Sequence, residues 1–329
     1  MSAHDVMPDI ELYQPITVED AVALAQRYGE NGWLLAGGQD TYGWLKDRAK
    51  HTSAMIDLNA IDALKGIREL AGGIEIGALT SLTEIQNNSS VVAKFGLLAE
   101  AVAHVASPQI RNMGTLGGNL VQDTRCWYYR RGLSCYRAGG NTCYANTPEG
   151  MNREHAIFGA SRCVAVTPSD TAPALVALEA QMLIVGPDGE RIVAAEDFFV
   201  GPNVDIRSMT TLETGEVLTA VRIPGKWATS EYYFEKVADR NVWDFALVSV
   251  AAVMKLNGGN ITDARFACGG VACVPQRLPA VERAVIGKPR NDETGLAAGA
   301  IASNGAVTLN YNHFKVPLIE NLVRRAVRG

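Results

Sequence analysis

The chain has 329 residues, 47% hydrophobic and 20% charged, which is typical of a folded globular protein long enough for two domains. Its formal net charge is −5, and its only basic tract (Arg324, Arg325 and Arg328) lies at the very end, which argues against a nucleic-acid partner. No apolar run approaches the roughly 18 to 20 residues that a membrane helix needs, so a membrane span is excluded too.

The first sixty residues predict a small α/β lobe. A Thr-x-x-Asp capping box beginning at Thr17 opens the first helical pattern. The predicted helices cover 17–27 and 41–49, and the predicted strands cover 33–36 and 54–58. Gly37-Gly38-Gln39-Asp40 follows the first of these strands directly. This alternation of strand and helix is typical of an α/β arrangement.

A second, larger lobe is predicted from about residue 61 to residue 226. Its predicted helices cover 82–87, 95–106 and 170–178, and its predicted strands cover 73–78, 163–166, 181–185 and 217–223. Pro224 closes the last strand, and the polar run 226–230 reads as a linker. We therefore expect a domain over 1–226, with lobes at about 1–60 and 61–226.

Residues 227–329 predict a small α+β domain. The patterns indicate a strand over 232–237, a helix over 244–253, and helices over 280–285 and 315–327. Asn257-Gly-Gly-Asn260, between two apolar runs, is a hairpin turn.

Two glycine-rich segments are candidates for phosphate binding. They are Leu34-Leu-Ala-Gly-Gly-Gln-Asp40 and Gly114-Thr-Leu-Gly-Gly-Asn119. Glycine lets backbone N–H groups converge on phosphate oxygens, and two such segments suit a diphosphate. Neither matches the Rossmann or P-loop fingerprint, and each alone could be an ordinary tight turn.

Four of the six cysteines fall in one 38-residue stretch after the second glycine segment: Cys126, Cys135, Cys143 and Cys163. Disulfides, zinc, a 4Fe-4S cluster and four unrelated buried thiols are the alternatives. The N-terminus lacks a secretory pattern, which disfavours disulfides, and the wide spacing disfavours zinc. Four thiolates are what a 4Fe-4S cluster needs, so the pattern favours the cluster. Cys268, Cys273, His104 and His155 read as structural residues.

The sequence resembles the FAD-binding medium subunits of molybdenum hydroxylases, the xanthine dehydrogenase and carbon monoxide dehydrogenase superfamily. The resemblance rests on four segments: Ala36-Gly-Gly-Gln-Asp40, Ile110-Arg-Asn-Met-Gly-Thr-Leu-Gly-Gly-Asn119, Pro168-Ser-Asp-Thr-Ala-Pro-Ala-Leu175 and Gly269-Gly-Val-Ala-Cys-Val-Pro-Gln-Arg277. It implies a two-lobed, PCMH-like α/β FAD-binding domain followed by an α+β flavoprotein C-terminal domain.

The same resemblance implies the residues that bind FAD. They are Leu35, Ala36, Gly37, Gly38, Gln39, Asp40, Thr115, Gly117, Gly118, Asn119, Asp170, Ile223 and Lys236. The two glycine segments would hold the pyrophosphate, Asp170 a polar FAD group, and Ile223 and Lys236 would lie near the isoalloxazine. Gln39 departs from the threonine that is commoner at its position.

A cysteine loop over 124–164 resembles two branches of the family: 4-hydroxybenzoyl-CoA reductase β subunits and the flavin subunits of periplasmic-type aldehyde oxidoreductases. Both carry an extra 4Fe-4S cluster, so Cys126, Cys135, Cys143 and Cys163 are its expected ligands. The resemblance also implies a large molybdopterin-binding subunit, a small 2Fe-2S subunit and an external electron carrier such as ferredoxin.

We therefore expect an electron-transfer subunit without catalytic residues of its own. The substrate of the complex would be an aldehyde, an N-heterocycle or an aromatic acyl-CoA. A self-contained FAD oxidase or dehydrogenase and a zinc-stapled, non-enzymatic scaffold are the alternatives. The expected compartment is the cytoplasm, or the periplasm if the complex is exported on a partner's signal.

Overall fold

A computed structural model of the chain, in which residues 7–329 are described, contains three β-sheets covered by helices. Within this range no helix is both long and apolar enough to span a bilayer. The expectation about a secretory signal falls partly on residues 1–6, which lie outside the described residues.

The first sheet has three parallel strands in the order β1-β3-β2. Its elements are β1 (Glu11–Tyr13), α1 (Val18–Tyr28), β2 (Gly32–Leu35), α2 (Thr41–Lys46) and β3 (Ala54–Asp57). The predicted cap is present, because the Thr17 hydroxyl accepts a hydrogen bond from the Asp20 backbone N–H at 3.1 Å. Ala21, Val22 and Ala25 of α1 then pack in one apolar cluster with Ile56 of β3. These elements form a small α/β unit, and the boundary of the lobe at about residue 60 stays a prediction.

The second sheet has five antiparallel strands in the order β4-β5-β8-β6-β7. The strands are β4 (Ile67–Leu70), β5 (Gly73–Gly77), β6 (Gln181–Gly186), β7 (Gly189–Ala194) and β8 (Val217–Pro224). The helices are α3 (Leu82–Asn87), α4 (Ser89–Lys94), α5 (Gly96–Ala103), α6 (Pro108–Met113), α7 (Leu116–Val121), α8 (Trp127–Arg130), α9 (Thr171–Ala177) and α10 (Ala195–Phe198). Gly117 and Gly118 thus lie in the first turn of α7 rather than in a loop.

The third sheet has four antiparallel strands in the order β12-β11-β10-β9. Its elements are β9 (Glu231–Val237), β10 (Val248–Asn257), β11 (Asn260–Gly269), β12 (Gln276–Arg277), α11 (Pro279–Val285), α12 (Asp292–Ala302) and α13 (Lys315–Arg328). The predicted hairpin connects β10 to β11, with Gly258 and Gly259 both at positive φ. The mixed helix and sheet architecture agrees with the predicted fold class.

Two predicted elements were wrong. Residues 244–253, expected as a helix, form a bend followed by β10. The apolar run misled because both faces of β10 are buried: Ala251 and Val253 pack toward the second lobe, and Val250 and Ala252 toward α13. Residues 163–166, expected as a strand, lie outside the named strands.

The cysteine loop, defined as residues 124–164, lies between the second lobe and the third sheet. Ile157 and Phe158 join the apolar core of the third sheet, and their backbone N–H groups donate to the Val271 carbonyl at 2.8 and 3.0 Å. Asn312 Nδ2 donates to the carbonyls of His155 and Ala156 at 3.1 and 3.2 Å. Packing and hydrogen bonds therefore order this loop.

Candidate functional site

Both glycine segments line one cavity of about 500 Å³. The first segment contributes Ala36, Gly37, Gly38, Gln39 and Asp40, and the second contributes Thr115, Gly117, Gly118 and Asn119. Asp170, at the start of α9, lines the same cavity. The fold thus brings together ten of the thirteen residues proposed for FAD.

Gly37 is the point where the two segments touch. A Cβ atom added there would lie 1.9 Å from the Met113 carbonyl oxygen and 3.1 Å from the Gly114 Cα. Both neighbours are backbone, which cannot move aside as a flexible side chain would. Only glycine fits here. Because it has no side chain, the two segments can approach closely enough to line one cavity.

Asp40 carries the charge of the first segment and is held from three directions. Its carboxylate forms ion pairs with Arg125 at 3.1 Å and with Arg130, and it accepts a hydrogen bond from the Trp44 indole at 3.1 Å. Arg130 also stacks over Trp44, 3.9 Å from the ring centroid. The cysteine loop therefore supplies the two arginines that neutralise this acidic cavity residue.

Asn119 is held by the Pro-Ser-Asp-Thr segment. The hydroxyls of Ser169 and Thr171 each donate to its Oδ1 at 2.7 Å, which fixes the orientation of the amide. On the same helix, the Thr115 hydroxyl accepts from the Gly118 N–H at 3.1 Å. Two motifs that are distant in the sequence thus form one polar wall.

Asp170 and Lys236 form a buried ion pair. The Lys236 ammonium lies 2.6 Å from the Asp170 carboxylate and 2.9 Å from the His104 carbonyl oxygen, and both side chains are 5% exposed. Burial raises the pKa of Asp170, and the charge of Lys236 opposes that rise. Lys236 itself does not line the cavity. It contacts Asp170 from the side that faces away from the cavity.

Leu35 and Ile223 also lie outside the cavity lining. Leu35 is buried against Leu45 and Met55 in the first lobe. Ile223 is fully buried in β8, where it pairs with Ile74 of β5. Any influence of these two residues on a ligand would pass through their neighbours.

The sequence reasoning missed several residues that line the cavity: Trp33, Trp44, Lys50, Asp123, Trp243 and Phe245. Lys50 forms an ion pair with Asp123 at 2.7 Å and lies over the Trp44 ring at 4.8 Å. Trp44 could have been found, because it stands one helical turn after Asp40. Lys50 and Trp243 come from distant segments and carry no local signal.

Two sulfurs of the cysteine loop face hydrogen-bond donors. Cys126 Sγ lies 3.3 Å from His155 Nε2 and receives the backbone N–H groups of Tyr129 and Tyr128. Cys143 receives the N–H groups of Val164, Asn146 and Ala145. Burial raises the pKa of Cys126 to about 12 and that of Cys143 as well, while these amides oppose the rise.

The other two sulfurs are buried, and the four are not gathered into a coordination sphere. Cys135 packs with Tyr129 and Trp44, whereas Cys163 lies near Cys126, Cys143 and the Arg137 side chain. Across the described part of the chain, no group of three or more His, Cys, Asp or Glu side chains is arranged as a metal site. The cluster therefore stays a prediction.

Buried donors around these thiols nevertheless fit an added acceptor. Arg137 Nε and Arg125 Nε are buried without a hydrogen-bond partner. Such orphaned donors are uncommon in folded proteins and call for an explanation. Inorganic sulfide and thiolate are acceptors, so the residues present are compatible with an iron-sulfur cluster.

Comparisons with known proteins identify the family of the chain. The family described as "FAD binding domain in molybdopterin dehydrogenase" matches residues 8–226, and "CO dehydrogenase flavoprotein C-terminal domain" matches residues 232–329. These two units in one chain define a flavin-carrying subunit.

Individual relatives extend over most of the chain. The aldehyde oxidoreductase FAD-binding subunit PaoB of Escherichia coli strain K12 is 34% identical over 82% of this chain and 84% of its own. The carbon monoxide dehydrogenase medium chain of Hydrogenophaga pseudoflava is 29% identical over 98% of both chains. A solved carbon monoxide dehydrogenase from that organism superimposes with a TM-score of 0.78, at 29% identity, over 98% of this chain and 96% of its own. The chain belongs to the FAD-binding medium subunits of the molybdenum hydroxylase (xanthine dehydrogenase) family of oxidoreductases.

Proposed function

We propose that the chain carries FAD and transfers electrons within a heteromeric molybdenum-dependent oxidoreductase. The cavity formed by both glycine segments carries this proposal, because its walls suit an extended dinucleotide. A large molybdopterin-binding subunit and a small 2Fe-2S subunit are the proposed partners. The names of the relatives, "medium chain" and "FAD-binding subunit", support a chain that works beside others.

Each part of the cavity has a distinct role in binding the cofactor. The backbone N–H groups of the segments 36–40 and 115–119 would bind the pyrophosphate. Asn119, oriented by two hydroxyls, and Asp170, held by Lys236, would bind polar groups of the flavin. When bound, FAD takes two electrons and returns them singly or in pairs. Leu35 and Ile223 would support the site from the cores behind it.

The substrate would react on the molybdopterin partner rather than on this chain. Aldehydes, N-heterocycles and aromatic acyl-CoA compounds are the proposed classes. The 34% identical aldehyde oxidoreductase relative supports an aldehyde, and the relative named nicotine 6-hydroxylase, at 27% identity, supports an N-heterocycle.

Purification of the chain with its natural partners tests the proposal. We expect flavin absorbance, about one FAD released per chain on denaturation, and two further subunits by mass spectrometry. The isolated chain should not oxidise aldehydes or alcohols. Turnover by the isolated chain would favour a self-contained FAD oxidase, and preparations without flavin would refute the proposal.

We further propose that the cysteine loop holds a 4Fe-4S cluster on Cys126, Cys135, Cys143 and Cys163. Three of these thiols lie close enough to influence one another, and backbone amides already point at two of them. Amide N–H groups directed at sulfur are a common means of tuning iron-sulfur clusters. About four irons and four sulfides per chain are expected, whereas zinc without colour would support the scaffold alternative.

Replacement of one ligand separates the cluster from the flavin. Cys143→Ala should lose iron and sulfide while keeping FAD, because Cys143 does not line the flavin cavity. Cys268→Ala is the matched control, since this buried thiol lies in β11 and should leave the iron content unchanged. Iron, sulfide and FAD assays on both proteins decide the matter. Unchanged iron in the Cys143 variant would remove it from the ligand set.

The outer face of the cysteine loop suits an acidic one-electron carrier such as ferredoxin, which we propose as the external partner. Of the loop's six arginines, Arg131, Arg153 and Arg162 are exposed, and so are its two glutamates, Glu149 and Glu154. Trp127 is exposed there and stacks on Tyr128 at 4.1 Å. Such rings and charges favour association with an acidic surface.

We propose a cytoplasmic location, with the periplasm as the alternative for a complex exported on a partner's signal. No disulfide joins any of the six cysteines, which suits a reducing compartment.

A further inference from the structure

Arg137 is a buried cation between the flavin cavity and the cysteine loop. The residue is 3% exposed, although arginine is rarely buried without a specific partner. On one side its guanidinium lies 3.4 Å from the carboxylate of Asp123, a residue that lines the flavin cavity. Arg137 is therefore one side chain away from a bound flavin.

On its other side, Arg137 faces sulfur. The guanidinium lies 3.6 Å from Cys273 Sγ and is hydrogen-bonded to Cys163, one of the four proposed cluster ligands. The carbonyl oxygens of Arg207 and Ser208, at 3.0 and 3.4 Å, fix its position from outside the cysteine loop. One planar cation thus contacts both sites, and its Nε donor is left without a partner.

The position of Arg137 places a buried positive charge between the two proposed redox sites. Arginine stays protonated in proteins, so a full positive charge is buried here. A cluster held by four thiolates is anionic, and its reduction potential depends on nearby charge and on hydrogen bonds to sulfur. A fixed cation beside Cys163 would favour the reduced cluster, and the same cation offsets the negative charge of Asp123 beside the flavin.

We propose that Arg137 is a positioning residue that sets the reduction potential of the cluster relative to the flavin, through Cys163 on one side and Asp123 on the other. This inference rests on the proposed 4Fe-4S cluster. It assigns a role to a residue that neither binds FAD nor ligates iron.

Redox titration of the purified complex, followed by electron paramagnetic resonance, tests this role in Arg137→Gln and Arg137→Lys. In Arg137→Gln the cluster should become harder to reduce by at least about tenfold in its equilibrium with a mediator, which corresponds to about 59 mV for one electron. Arg137→Lys keeps the charge and should recover most of the shift. Arg131→Gln, at an exposed arginine of the same loop, is the control and should titrate as the unaltered protein does.

Iron content separates the possible failures. An unaltered complex without iron would sink the proposed cluster, whatever the variants do. An iron-loaded Arg137→Gln variant with an unchanged potential would overturn only the role of Arg137. An equal shift of the cluster's reduction potential in the control variant Arg131→Gln would also overturn the role of Arg137. If Arg137→Gln loses its iron, the Arg137→Lys variant decides between the two roles. An iron-loaded Arg137→Lys variant with the reduction potential of the unaltered protein supports the proposed role. Loss of iron from both variants overturns it and shows that Arg137 is needed for cluster assembly instead.

Discussion

At the scale of single residues, the candidate site depends on its glycines as much as on its polar side chains. Gly37 allows the first glycine segment to rest on the backbone of residues 113 and 114. Its role could be predicted from the Gly-Gly sequence, because close backbone approach is a local property of glycine. The contact with Met113 could not be predicted, since nothing local links the two segments.

Gly37→Ala should abolish FAD binding. The new methyl group would meet the Met113 carbonyl oxygen, so the two segments must separate and the proposed pyrophosphate site must widen. We expect at least about a hundredfold weaker FAD binding, roughly 2.7 kcal/mol, measured by fluorescence on refilling the flavin-stripped protein. Gly72→Ala is the control, because no atom lies within 4 Å of its added Cβ. Equal FAD binding by both variants would contradict this account.

At the scale of elements, local sequence patterns correctly predicted several helices and strands that bury only one face. Helix α1 and the β10–β11 hairpin follow from a cap and a turn that the sequence displays. Helices α6 and α7 were not predicted. Pro108 stands at the start of α6, a position that suits proline, and Gly117 and Gly118 were expected in a turn or phosphate-binding segment rather than in the first turn of α7. Strand β10 was misread because a strand buried on both faces shows no alternation.

The second sheet contains a cross-strand ion triad that predicts acid sensitivity. Glu75 on β5 pairs with Arg68 of β4 at 2.6 Å and with Arg222 of β8 at 2.7 Å. Hydrogen bonding from Arg68 holds the pKa of Glu75 below its usual 4.5, despite partial burial. A lowered folded-state pKa means that the stabilisation is complete above about pH 4.5 and is lost as the pH falls through the folded value.

Glu75→Gln should therefore destabilise the protein mainly near neutral pH. We expect the free energy of unfolding to fall by about 1.5 to 3 kcal/mol at pH 7, with a smaller difference from the unaltered protein at about pH 3. Urea unfolding at both pH values measures this. Glu190→Gln, at an exposed glutamate on β7, should show neither effect. A difference that stays constant with pH would show that the carboxylate charge is not the cause.

At the scale of the whole molecule, the third sheet packs against both the second lobe and the cysteine loop. Phe234 and Ala251 belong to the same apolar core as Leu175 of the second lobe, and the opposite face of the sheet packs on Ile157 of the cysteine loop. The resemblance to a known family indicated this order of units. Composition and periodicity could not show that the cysteine loop would be seated on the third sheet, since those contacts join distant parts of the sequence.

Asn312→Ala tests how far that seating stabilises the loop. Asn312 is fully buried, and its loss leaves the carbonyls of His155 and Ala156 and the N–H of Leu309 without their partner. The free energy of unfolding should fall by about 2 to 4 kcal/mol, and limited proteolysis should cut within 124–164 sooner. Asn321→Ala, an exposed position on α13, should change stability by less than about 0.5 kcal/mol. Unchanged proteolysis of the Asn312 variant would count against the seating.

The contacts between Lys315 and the cysteine loop bear on the order in which the protein matures. The Lys315 ammonium is fully buried and donates to the carbonyl oxygens of Glu154, 161 positions earlier, and Gly270. A ribosome therefore releases the four thiols long before it makes the segment that fastens them. The proposed cluster would therefore be inserted after translation, and chains truncated ahead of α13 should contain less iron than the full chain.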